Sequence, residues 1–208
     1  MKTEIWRTIA AGGTALSIPG LAGATTVITT VGATYTSSGF PGTLYGFAEN
    51  ADGTFTATGD STGNFAVAPN AVGVVFTGID TTVIADDAGG YPINFIPGDQ
   101  VGPASPVSAW SSSGGWLMVE PKLGSGKTNF EQGSGWVGFA IPTGSGSDAN
   151  YGAVLVTSLR AGSVTVNRIL FETTANDPVL IATPEPSTFG LLALGAAGVL
   201  ALRKRRKA

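Results

Sequence analysis

The 208-residue chain contains no cysteine and no histidine. Without thiols there is no disulfide, no thiolate metal site and no cysteine nucleophile. Without imidazole there is no Ser-His-Asp triad, no histidine-bound zinc and no side chain whose ordinary pKa lies near neutrality. Enzymatic chemistry is thereby narrowed to carboxylates, Ser-Lys pairs or oxygen-bound metals. Charge is scarce too, at 12% of residues. Most of the cations sit at the two ends, so residues 25–183 hold only Lys122, Lys127, Arg160 and Arg168 against twelve carboxylates, a net charge of −8. Neutralising phosphates requires clustered Lys and Arg, so nucleic acid is excluded as a partner. No sequence period recurs, which argues against solenoids and propellers.

What the chain does have is glycine, 31 residues of it, spaced between short β-branched and aromatic runs. Thr25 to Tyr35, Thr43 to Ala48, Thr54 to Thr58, Phe65 to Ala68, Gly73 to Phe76, Thr82 to Ala85 and Tyr91 to Ile96 read as strands. Trp116 to Glu120, Trp136 to Ile141, Tyr151 to Ser158 and Ser163 to Glu172 continue the series. Turn signals separate them: Asp52-Gly53, Ser61 to Asn64, Ala88 to Gly90, Ser111 to Gly115, Gly124 to Gly126 and Thr143 to Asp148. The pattern predicts an all-β fold, an antiparallel β-sandwich or jelly-roll-like domain over residues 25–183.

Both ends differ from this body. Lys2 and Arg7 precede a small-residue apolar stretch from Thr8 to Leu21, and Ala22-Gly23-Ala24 supplies the small side chains that a signal peptidase accepts. Residues 1–24 therefore read as a signal peptide cleaved after Ala24. At the other end Pro184-Glu185-Pro186-Ser187 leads into an uncharged run from Phe189 to Leu202, then Arg203, Lys204, Arg205, Arg206 and Lys207. Fourteen helical residues span roughly 21 Å at 1.5 Å each, short of the ~30 Å hydrocarbon core. The terminal cations hold to the cytoplasmic side, which places the body outside.

This three-part tail over residues 184–208 resembles a PEP-CTERM sorting signal. The resemblance implies recognition of Pro184, Glu185, Pro186 and Ser187 by an exosortase, with the C-terminal helix held in the membrane until processing. Gly135 to Phe139, Asn150 to Val156, Val164 to Phe171 and Glu172-Thr173-Thr174 are similar to the strand order of many PEP-CTERM surface proteins, although Ala153 stands where tryptophan often follows the Tyr-Gly pair. The resemblance implies a cell-surface, outer-membrane or extracellular-matrix protein associated with extracellular polysaccharide or biofilm.

Within the body no catalytic residue is assigned. Glu49 to Gly53 and Asp60 to Asn64 resemble fragments of calcium loops, yet neither has the spacing of an EF-hand, and Asp or Asn before Gly reads as a turn. Asp86-Asp87 beside Gly89-Gly90 reads as an exposed acidic turn. No metal ligand is assigned, and calcium stays the single cofactor that the residues admit. Trp110, Trp116 and Trp136 are candidates for a sugar-stacking face; Trp136, in a run with Phe139 and Ile141, reads as core. A glycosidase would need two carboxylates at a set separation, and Lys122 and Lys127 lie in a Gly/Ser-rich stretch without a nucleophile motif. The expected role is non-enzymatic, with a carbohydrate-binding module, calcium-assisted or not, as the alternative.

Overall fold

A computed structural model describes residues 26–182, apart from 38–41, 72, 88–90, 106–108, 112–114, 120–129, 131–132 and 145–146. The described residues are all-β, without a helix, so none there is long and apolar enough to cross a membrane. The signal peptide, the tail, and Lys122 and Lys127 lie outside the described residues.

Chain order gives β1 (Thr26–Thr36), β2 (Tyr45–Glu49), β3 (Phe55–Ala57), β4 (Phe65–Asn70), β5 (Gly73–Gly78), β6 (Val83–Asp86) and β7 (Asn94–Phe95). There follow β8 (Gln100–Val101), β9 (Ala109–Ser111), β10 (Gly115–Val119), β11 (Gly135–Pro142), β12 (Ala149–Arg160), β13 (Ser163–Glu172) and β14 (Val179–Leu180). The larger sheet runs β1-β13-β12-β11-β6-β9, with β7 pairing β11 beyond the end of β6. The smaller runs β10-β5-β4-β2-β3, and β14 with β8 forms a third sheet of two strands. Every pairing is antiparallel.

The two main sheets bury a common, sandwich-like core. Phe47, Phe65, Phe76 and Leu117 from the smaller sheet meet Val137, Phe139, Val154, Ile169 and Phe171 from the larger one. Phe65 lies 5.0 Å from Phe139, and Phe55 stands edge-on to Phe139 and Phe171 at 5.8 and 5.2 Å between ring centroids, so aromatics bridge the layers. Gly152 makes room for this cluster: opposite Phe139 in the β11–β12 ladder, it would put any Cβ 2.2 Å from the Phe139 ring. Backbone contacts tie the layers together as well. Phe55 N–H donates to the buried Thr29 hydroxyl at 3.0 Å, and Gly162 N–H donates to the Asn70 carbonyl at 2.6 Å.

The larger sheet is also covered on its outer face. Side chains alternate across a strand, so Val137 and Phe139 point inward while Trp136, Gly138 and Ala140 point outward. A second apolar cluster, of Ala85, Phe95, Val101, Trp136, Ala153, Leu170, Val179 and Ile181, fills that outer side. Gly138 and Ala153 face each other across the ladder, and a Cβ on Gly138 would meet Phe95 at 2.8 Å and Val101 at 3.0 Å. Small residues here form the bed on which β7, β8 and β14 rest. Trp136 is thus core, though on the face opposite Phe139 and Ile141: the run is buried on both sides rather than along one.

Three strands depart from expectation. β8, β9 and β14 are two or three residues long, and Ser111 belongs to β9 rather than to a turn. The stretch Tyr91 to Ile96 shrinks to Asn94–Phe95 plus an isolated bridge between Pro92 and Asp86, because Pro92 has no N–H to give a continuous ladder.

Candidate functional site

On the outer face, beyond the edge of the covered patch, Val83, Trp110, Ala140, Pro142, Ser147, Asp148, Ala149 and Tyr151 line an open hollow of about 220 Å³. Its aromatic wall is Trp110 against Tyr151, 5.6 Å between centroids and tilted by 57°. The pairing of β9 with β6 places Trp110 opposite Ala85, and Tyr151 stands opposite Ala140 across the β11–β12 ladder, so the strand register itself assembles the wall. Tyr151 is buried, and burial pushes its phenol up from 10.0, keeping it neutral.

The polar rim is held by one residue in an unusual conformation. Asn176, with φ of 65°, donates its side-chain amide to Asp148 Oδ1 at 2.8 Å and its backbone N–H to the Ala149 carbonyl at 2.8 Å, while its Oδ1 accepts the Ala149 N–H at 3.3 Å. Asparagine is among the few residues that tolerate this left-handed backbone. Thr143 donates both N–H and hydroxyl to the Asp148 carbonyl, at 3.0 and 3.2 Å. Asp148 is thereby fixed at the rim beside the aromatic wall, with its exposed carboxylate able to accept a ligand hydroxyl. Of the candidate tryptophans, the structure brings Trp110 to this hollow and buries Trp136; Trp116 lies in β10, where its backbone pairs with Val75. Tyr151, Asp148 and Asn176 were not among the expected site residues. The Asn176-Asp177-Pro178 turn signal marks the last of them.

The acidic turns resolve as local structure. Asp52 Oδ1 accepts the Thr54 hydroxyl at 2.6 Å and N–H at 3.0 Å, and Asp60 Oδ1 accepts the same groups of Thr62 at 2.5 and 2.9 Å. The threonine hydroxyls are the main reason both carboxyls titrate below the ordinary 3.8. Among the described residues, no three acidic side chains gather as metal ligands.

Asp86 corrects the sequence expectation. It is not in an exposed turn but ends β6, 1% exposed, on the inward side shared with Ile84. Neither of its carboxylate oxygens reaches a hydrogen-bond partner. Burial pushes its carboxyl up to about 6; the Ser111 hydroxyl opposes the rise without closing a well-formed hydrogen bond, and the charge of Asp87 adds to it. Asp87 is the true turn residue, its carboxylate accepting the Tyr91 N–H at 3.0 Å.

At the C-terminal exit, Val179 and Ile181 are fully buried in the outer cluster. Ile181 N–H donates to the Asp99 carbonyl at 2.9 Å and its carbonyl accepts the Gly98 N–H at 2.8 Å. The next residue, Ala182, begins a stretch through residue 206 that matches the family model of the PEP-CTERM protein-sorting motif. The chain carries a PEP-CTERM sorting motif. The motif implies processing by an exosortase and export to the cell envelope. No curated protein and no solved structure matches the chain.

Proposed function

We propose that the protein is a non-enzymatic constituent of the cell surface or extracellular matrix, exported by its signal peptide, sorted through its PEP-CTERM tail and associated with extracellular polysaccharide. In this reading residues 25–183 form a β-sandwich that works without a cofactor. Phe189 to Leu202 hold it at the inner membrane as a helix until the signal at Pro184-Glu185-Pro186 is processed. The sorting motif carries the proposal. Supporting it, the body has neither thiol nor imidazole, and its net charge of −8 suits a solvated surface protein. The test is the intact mass of protein recovered from the cell exterior. Loss of residues 1–24 and of the tail is expected; protein retained in the cytoplasm with both ends intact refutes the reading.

The Trp110 hollow favours a second reading, a carbohydrate-binding module. A flat indole stacks on the apolar face of a pyranose while Asp148 takes a hydroxyl, and a hollow of about 220 Å³ admits one ring. The acidic body selects neutral over acidic glycans. A glycan array of the exported protein, run with and without chelator, tests it. Trp110→Ala should abolish a neutral-glycan signal, and chelator sensitivity would bring in calcium. No binding to any neutral glycan rejects this reading while leaving the surface assignment standing.

A further inference from the structure

The sorting motif starts where the fold stops. Ile181 is the last buried residue, and only Ala182 and Thr183 separate it from Pro184. β14 is not a loose linker: Val179 and Leu180 pair with Val101 and Gln100, Ile181 is bonded on both sides to the Gly98–Asp99 segment, and Val179 and Ile181 enter the outer cluster against Val101 and Ala153. A peptidase or transpeptidase binds its substrate as an extended strand reaching several residues to either side of the motif, with backbone hydrogen bonds made to the enzyme. Here the residues on the upstream side already give those backbone bonds to β8. At no more than ~3.6 Å per residue, the free spacer between Ile181 and Pro184 is too short to fill a membrane enzyme's cleft while the body stays clear of the bilayer.

We infer that β14 leaves β8 before the tail is processed, so that the exosortase acts on a chain released back through Val179–Ile181. The β8–β14 pair is then a latch whose opening sets the pace of sorting. This rests on the reading that the tail is processed at all. The absence of cysteine from the chain allows a direct test. Gln100 and Leu180 are direct partners, both exposed, and directly opposed residues of an antiparallel pair stand within the Cα range that a disulfide spans. In the full-length protein, expressed in a host with an exosortase, Gln100→Cys with Leu180→Cys closes the latch with no competing thiol. Processing, followed by loss of tail mass, should slow at least tenfold and recover on adding a reductant. The two single-cysteine variants should match the parent, and Val179→Ala, which loosens the latch, should process faster. Parent-like processing of the oxidised double variant, with its disulfide verified by mass, overturns the inference. A slowdown that reductant does not reverse also counts against it, pointing to misfolding rather than to a closed latch. If the unmodified tail is never removed, the processing reading itself falls and takes the latch with it.

Discussion

Replacing Asp86 with asparagine should stabilise the protein, and should do so only above the pH at which Asp86 ionises. The buried carboxyl titrates at about 6 instead of 3.8, so the fold disfavours its charged form. At roughly 1.4 kcal/mol per pH unit, that displacement is worth about 3 kcal/mol once ionisation is complete. The sign follows from proton counting. Between 3.8 and 6 the folded chain keeps a proton that the unfolded chain has released, so stability falls as pH rises through this window and levels off above it. Asparagine removes the charge but leaves an amide whose own donors need partners, which reduces the net gain to about 1–2 kcal/mol. Urea denaturation at pH 4 and pH 8 reads the effect. Asp86→Asn should match the parent at pH 4, exceed it by about 1–2 kcal/mol at pH 8, and flatten the profile between. If the variant is less stable at pH 8, the ionised carboxylate is compensated in the native protein, by a bound cation for example, and the burial argument is wrong. An unchanged slope between pH 4 and pH 8 would refute it equally.

Ile181→Ala, which empties a fully buried site beneath β14, should cost about 2–4 kcal/mol in denaturant midpoint analysis, whereas exposed Leu180→Ala should cost under about 0.5. Gly152→Ala drives a methyl to within 2.2 Å of the Phe139 ring, and an overpacking loss of about 1–3 kcal/mol is expected by thermal or chemical denaturation. Thr29→Val keeps the shape but strands the Phe55 N–H that the hydroxyl now accepts. It should lose about 1–3 kcal/mol, and hydrogen exchange at the Phe55 amide should rise.

The strands that carry the core were legible because each is a β-branched or aromatic run closed by Gly, Asn or Asp: Ser163–Glu172 appears with the expected bounds, and Phe65, Phe76 and Phe139 are buried as their pattern implies. What was not legible lay on the outer face. Two- and three-residue strands such as Gln100–Val101 and Val179–Leu180 are too short to show a period, and they exist because Gly138 and Ala153 leave a shallow bed for them. Burial of Asp86 escaped for a related reason. An Asp-Asp pair before glycines looks like a turn, and only the pairing of β6 with both β9 and β11 moves its first member indoors. The hollow depends on a register between β9 and β6 that no local pattern encodes. The sorting motif, by contrast, is a contiguous stretch read by another protein, and it could be recognised without folding the chain.

The partnership of β1 with β13 bears on the kinetics of export. Thr26, at the start of the body, donates its hydroxyl to Glu172 across a separation of 146 residues, and the ladder between these strands is among the longest in the protein. A chain threaded out N-terminus first presents β1 at once but must wait for nearly the whole body to emerge before its partner arrives. Contacts of such high order close slowly, and until then an unpaired β1 edge is open to association with other chains. When β13 finally arrives, the residues still to be exported are the last strand and the sorting tail. Completion of the large sheet and arrival of the sorting signal thus coincide in time, and the nascent β1 edge is at its most vulnerable in the interval before.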